Sequence, residues 1–247
     1  MTLDDFRRQL LLSVDVRGYG RSGDVRQHEI QRLLSEILDA AAGRSGLDRA
    51  GWQRQAAGDG ELSVLPAGES EVRLVDDFVR ELAAELRFRN RDELPGDRLR
   101  MRVAVHHGVV RAAPMGFAGK GVVEVSRLAD SAVAHLALDR SDADLVVVLS
   151  RQIFEDTVEH TSLDPARLRQ VTIDHKEFRS TAWLLLPGRD IHAIDLDPPA
   201  GPDPAPGGGA GAGAGAGAVH NTVQVNHGNV VQAGNVQGGV VMGDGKQ

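Results

Sequence analysis

The strongest constraint on this chain is a junction that occurs twice: an apolar strand ends on an aspartate and passes straight into a glycine turn. Residues 10–16 form an apolar run closing on Asp15-Val16-Arg17-Gly18-Tyr19-Gly20. A second junction, Asp59-Gly60, lies between the strand-like stretches 52–57 and 61–65 and carries the Asp-Gly pair favoured in tight hairpins. Aspartate is at home in such turns on structural grounds alone. Two carboxylates on adjacent strand ends are also what Mg²⁺ or Mn²⁺ needs to grip a triphosphate.

The periodicity around these junctions alternates between strand and helix. Residues 25–42 place Ile30, Leu33, Leu34, Ile37 and Leu38 on one helical face. A second amphipathic helix carries Leu74, Val75, Phe78, Val79, Leu82 and Leu86. Strands are expected over 102–106 and 109–112, interrupted at Gly108, followed by a helix over 122–138. A strand at 144–149, a helix at 151–159 and strands at 169–174 and 181–186 complete the pattern. The order β-α-β-β-α-β predicts an α+β, ferredoxin-like sheet with helices on one face.

Composition divides the chain into three. Residues 1–187 are globular, 188–218 form a flexible Pro/Gly/Ala-rich linker, and 219–247 are a separate tail rich in Val, Asn, Gln and Gly. Cysteine is absent, which excludes disulfides and thiolate chemistry and suits a reducing cytoplasm. The net charge of −7, with basic residues spread among acids, argues against nucleic acid as a partner. No segment is apolar for long enough to span a membrane.

With Asp15-Val16-x-Gly18-Tyr19, Gly58-Asp59-Gly60, the run 102–108 and the segment Gly119-Lys120-Gly121-Val122-Val123-Glu124-Val125-Ser126-Arg127-Leu128 in this order, residues 8–187 resemble a class III nucleotidyl cyclase domain. The resemblance implies two Mg²⁺ or Mn²⁺ ions held by Asp15, the Val16 carbonyl and Asp59. It implies Arg127 as the group that steadies charge on the phosphate, and nucleotide contacts from Gln55, Gly18, Tyr19 and Lys176. It also implies a homodimer, with metals from one subunit and Arg127 from the other. The family's asparagine, four residues before the arginine, is replaced by Val123. The two adenine-reading positions, lysine and aspartate in adenylate cyclases, hold Gln55 and Gly116. Two readings stay open: a cyclase converting a nucleoside triphosphate to a cyclic mononucleotide and pyrophosphate, or a degenerate module that binds nucleotide or a partner and signals through assembly only. His106 and His107 are read as structural, because neighbours on a strand face opposite ways.

The tail repeats itself. Asn229-Val230-Val231-Gln232-Ala233-Gly234 is echoed imperfectly by Asn235-Val236-Gln237-Gly238-Gly239-Val240, uncharged and β-prone throughout. Val231, Gln232, Ala233 and Gly234 resemble the core of the RIP homotypic interaction motif, and 221–243 resembles bacterial amyloid-signalling motifs. That resemblance implies self-assembly through these residues with Val236, Gly238, Gly239 and Val240, templated by an NLR-like receptor. A disordered low-complexity tail is the other reading.

Overall fold

The computed structural model describes residues 6–56, 58–114, 116–175 and 178–197. Its centre is β1 (Arg7–Val16), where Leu10, Leu12, Val14 and Val16 point to one side of the sheet and Leu11 to the other. The hairpin β2 (Gln53–Ala56) and β3 (Gly60–Val64) pairs antiparallel with one edge of β1. β4 (Met101–Ala113) pairs antiparallel with the other and carries the short β5 (Gly116–Ala118) at its far end. Beyond β4 lies β6 (Leu145–Ser150), parallel to it, then the hairpin of β7 (Arg169–His175) and β8 (Phe178–Leu185). The sheet order is β2-β3-β1-β4-β6-β8-β7. The α+β class expected from the sequence is the one observed.

One face is covered by α1 (Asp24–Arg44), α3 (Val79–Arg89) and α6 (Arg151–Thr157). α1 buries Ile30, Leu34, Ile37, Leu38, Ala41 and Ala42, the stripe its periodicity predicts. α3 continues from the short α2 (Glu71–Arg73) through a π-helical turn, Leu74–Phe78. The opposite face is covered by α4 (Lys120–Ala129) and α5 (Ala132–Asp139), which bury Val125, Leu128, Ala134 and Leu138 against Leu11, Ala104, Val146 and Val148. Helices therefore lie on both faces, where the sequence suggested one. The reason is that β1, β4 and β6 are buried on both sides, with Leu11, Ala104, Val146 and Val148 facing the second layer, and each side needs a cover.

Two further expectations change. The helix expected over 122–138 is broken at Ser131, which is extended and whose hydroxyl donates to the Leu128 carbonyl at 2.8 Å. The two strands expected around Gly108 are one continuous strand, β4. Gly108 is not a turn residue but a gap for α4: a Cβ there would stand 2.5 Å from the Gly121 Cα. His106 and His107 do face opposite ways, His106 towards Glu124 of α4 and His107 towards Glu71 of α2. Past residue 187 the chain still packs: Ile191 and Leu196 are buried in the second core, and Arg169 donates to the Ile194 carbonyl at 2.6 Å. Among the described residues no helix is long and apolar enough to cross a membrane.

Candidate nucleotide and metal site

The two strand-end aspartates are brought to one edge of the sheet by glycine. A Cβ on Gly60 would collide with the Val14 carbonyl, so only glycine lets β3 draw up to β1 at this point. In that register Asp15 lies opposite Gly60, and the Val16 amide donates to the Asp59 carbonyl at 2.9 Å. Asp59 is exposed and Asp15 is half-buried.

The loop after β1 is tied to the same edge. Gly18 takes a left-handed conformation, φ 79°, and Tyr19–Arg21 make a 3₁₀ turn. Gln31 of α1 donates both to the Tyr19 hydroxyl, at 2.8 Å, and to the Gly58 carbonyl, at 3.1 Å. Gln27 donates to the Tyr19 and Ser22 carbonyls. Gly18, Tyr19 and the Asp59 hairpin are thereby held around the N-terminal half of α1.

Asp15 has a partner that sequence reasoning missed. Arg102 on β4 is buried, 5 % exposed, and forms an ion pair with Asp15 Oδ2. Its Nε donates to the Ala129 carbonyl at the end of α4, at 3.2 Å. Burial holds the Arg102 guanidinium below its usual range. The signal was in the sequence: an arginine inside the apolar run Met101–Val105 has to be matched by a charge or leave an unpaired cation in the core.

The donor set suits a hard divalent cation. Asp15 is half-buried with its Oδ2 against Arg102, and Asp59, one residue before β3, offers a second carboxylate beside the same strand end. Among the described residues no group of three or more His, Cys, Asp or Glu comes together.

Gln55 and Gly116 also meet. Gly116 has φ 115°, and a Cβ on it would run into the Gln55 carboxamide. The Phe117 amide donates to Gln55 Oε1 at 3.2 Å, which fixes the amide orientation because a backbone N–H can only donate to the oxygen. Arg127 is half-buried on α4 with its guanidinium 5.9 Å from the Phe178 ring centre. Among the described residues it makes no ion pair with Asp15 or Asp59, so one chain does not bring it to them. Val123, one turn earlier, is 46 % exposed. Lys176 and the tail residues Val231, Gln232, Ala233, Gly234, Val236, Gly238, Gly239 and Val240 lie outside the described residues.

No protein-family model matches the sequence. No curated protein matches it either. Among solved structures the chain is similar to the adenylate/guanylate cyclase/hydrolase from Silicibacter pomeroyi, with TM-score 0.56 and 18% identity over 74% of this chain and 99% of that one. It is also similar to the guanylyl cyclase Cya2, with TM-score 0.50 and 15% identity over 78% of this chain and 98% of that one. The domain has the nucleotidyl cyclase fold. Within that fold, Asp15, Asp59 and Arg102 occupy one strand-end edge, while α4 carries Val123 and Arg127.

Proposed function

We propose that this chain is a signalling protein whose cyclase-fold domain binds a nucleoside triphosphate with Mg²⁺ or Mn²⁺ and cyclises it in a homodimer. The observation that supports the reading is the β1–β3 register, which sets Asp15 opposite Gly60 and joins the Val16 amide to the Asp59 carbonyl, so that both aspartates stand at one end of neighbouring strands. Asp15, the Val16 carbonyl and Asp59 would hold the metal, which when bound supplies activation of the 3′-hydroxyl and neutralises the leaving pyrophosphate. In the reaction the 3′-oxygen forms a bond to the α-phosphorus, the bond to the β-phosphate oxygen breaks, and the 3′-proton passes to solvent.

The chain's own groups have separate tasks in this reading. Arg102, beside Asp15, offers positive charge where the triphosphate lies. The loop at Gly18 and Tyr19 lines the phosphates, with Lys176 as a further phosphate contact. Gln55 meets the base through its free Nε2, since Oε1 is taken by Phe117. Arg127 acts on the site of the second subunit, which fits its lack of contact with Asp15 and Asp59 in its own chain. The tail 219–247 clusters these dimers by stacking with itself and with the matching motif of an NLR-like receptor in the cytoplasm.

A second reading rests on Val123, an exposed valine where a polar group would be needed. Losing one positioned polar group costs about two to three decades in rate, and the domain would then bind nucleotide and signal through assembly alone. The test for the shared part is equilibrium binding of Mn²⁺ with each of the four ribonucleoside triphosphates. Binding that needs both metal and nucleotide and disappears in Asp59→Asn supports the proposal; metal-independent binding unaffected by that change contradicts it.

A further inference from the structure

α1 packs on the first core through one face and carries a polar ridge beside it. Gln27, Gln31, Ser35 and Asp39 recur every four residues, which sets them one above another along the helix. The two ends of the ridge serve different parts of the strand-end edge. Gln27 donates to the Tyr19 and Ser22 carbonyls, at 3.3 and 3.0 Å, and so holds the turn after β1. Asp39 pairs with Arg49, which is 4 % exposed and also stands 2.7 Å from Glu61 Oε2 on β3, two residues past Asp59.

Gln31 sits between them and reaches both parts. Its Nε2 donates to the Tyr19 hydroxyl at 2.8 Å and to the Gly58 carbonyl at 3.1 Å, acceptors 12 and 27 residues away in the chain. A carbonyl can only accept, so the orientation of the carboxamide is set and both of its N–H groups are used. The side chain is exposed, so burial does not hold it there; fixing a free glutamine costs rotamer entropy that these two bonds have to offset. Tyr19 belongs to the turn after β1 and Gly58 to the turn that presents Asp59, so the two bonds fix the spacing of one turn from the other.

We infer that Gln31 is a positioning residue that clamps the Tyr19 turn to the Asp59 hairpin, so that a triphosphate on the turn and a divalent cation at Asp15 and Asp59 meet at one spacing. The inference rests on the functional reading above and deepens it: the clamp couples the two ligands, each raising the affinity for the other. Gln31 touches neither ligand. Without its two donors, turn and hairpin each keep their own groups but lose their common register.

The experiment compares the full chain with its Gln31→Met variant, which keeps a side chain of similar length and removes both donors. Without any ligand, amide hydrogen exchange over 18–22 and 58–61 should rise about tenfold in the variant, the worth of a hydrogen bond, while exchange in β4 and β6 stays as it was. Equilibrium titration with each of the four ribonucleoside triphosphates, with and without Mn²⁺, reads the coupling. Metal-free affinity should stay within about twofold, and the gain that Mn²⁺ brings should fall about fivefold or more. A role in general stability alone would raise exchange through the whole domain and leave the Mn²⁺ gain intact. That result, unchanged exchange at the two turns, or an undiminished gain would each overturn the inference. A wild type that shows no metal-dependent nucleotide binding sinks the functional proposal, and exchange at the two turns then decides by itself whether Gln31 holds them together.

Discussion

At the scale of single residues, the domain depends on buried polar groups that are matched one to one. Asn90, 6 % exposed, both donates to the Leu99 carbonyl and accepts from the Leu99 amide, each at 2.8 Å. It closes the loop that leads into β4 as a strand partner would. Asn90→Ala leaves two buried backbone groups without partners, and urea unfolding should show a loss of about 2–4 kcal/mol. His106 gives a pH signature. Burial pushes its imidazolium below the usual range against the pull of Glu124, whose Oε2 is 3.0 Å from Nε2, with His107 and Arg8 pushing the same way as burial. A folded pKa below the unfolded value means the unfolded chain takes up the proton first. Stability should therefore be full above about pH 6.5 and fall as the pH drops below it. The difference in melting temperature between wild type and His106→Gln, followed from pH 7.5 to 5.5, should change in that direction; a constant difference would contradict the assignment.

At the scale of elements, α4 carries Arg127 and receives the Arg102 hydrogen bond at its last residue. Its seat is the Gly108–Gly121 crossing, where a Cβ on Gly121 would come 2.8 Å from Gly108 backbone. Gly121→Ala should lift the helix off β4, destabilise the domain by about 1–3 kcal/mol in chemical unfolding and lower turnover with it. This crossing shows what was legible in the sequence and what was not. The strand-end turn after Asp15, the stripe of α1 and the hairpin at Asp59-Gly60 could be read directly, because each depends on neighbours close in sequence. Gly108 looked like a turn because its reason is a helix that arrives thirteen residues later. The break at Ser131 was hidden by an unbroken apolar pattern on both sides of it. Arg102 was missed although its apolar surroundings marked it, since its partner Asp15 lies on another strand. The meeting of Gln55 with Gly116 needed the pairing of β5 with β4 to become visible.

At the scale of the whole molecule, the proposal needs two subunits, since among the described residues Arg127 makes no ion pair with Asp15 or Asp59. Mixing Asp59→Asn with Arg127→Ala, each inactive alone, should restore about a quarter of wild-type turnover: random pairing makes half the dimers mixed, and each mixed dimer keeps one intact site of two. No recovery would point to a site complete within one chain. For the tail, Gln232→Pro should stop fibre growth seeded from residues 219–247, because proline removes a ladder hydrogen bond; fibres forming at the wild-type rate would remove assembly from the account. The most direct test of the central claim is turnover by the full chain with Mn²⁺ and ATP, GTP, CTP and UTP, products identified by mass spectrometry. The account predicts a cyclic mononucleotide from at least one of them that vanishes in Asp59→Asn. A folded, dimeric chain that yields no cyclic product from any of the four, or yields it equally with Asp59→Asn, contradicts it.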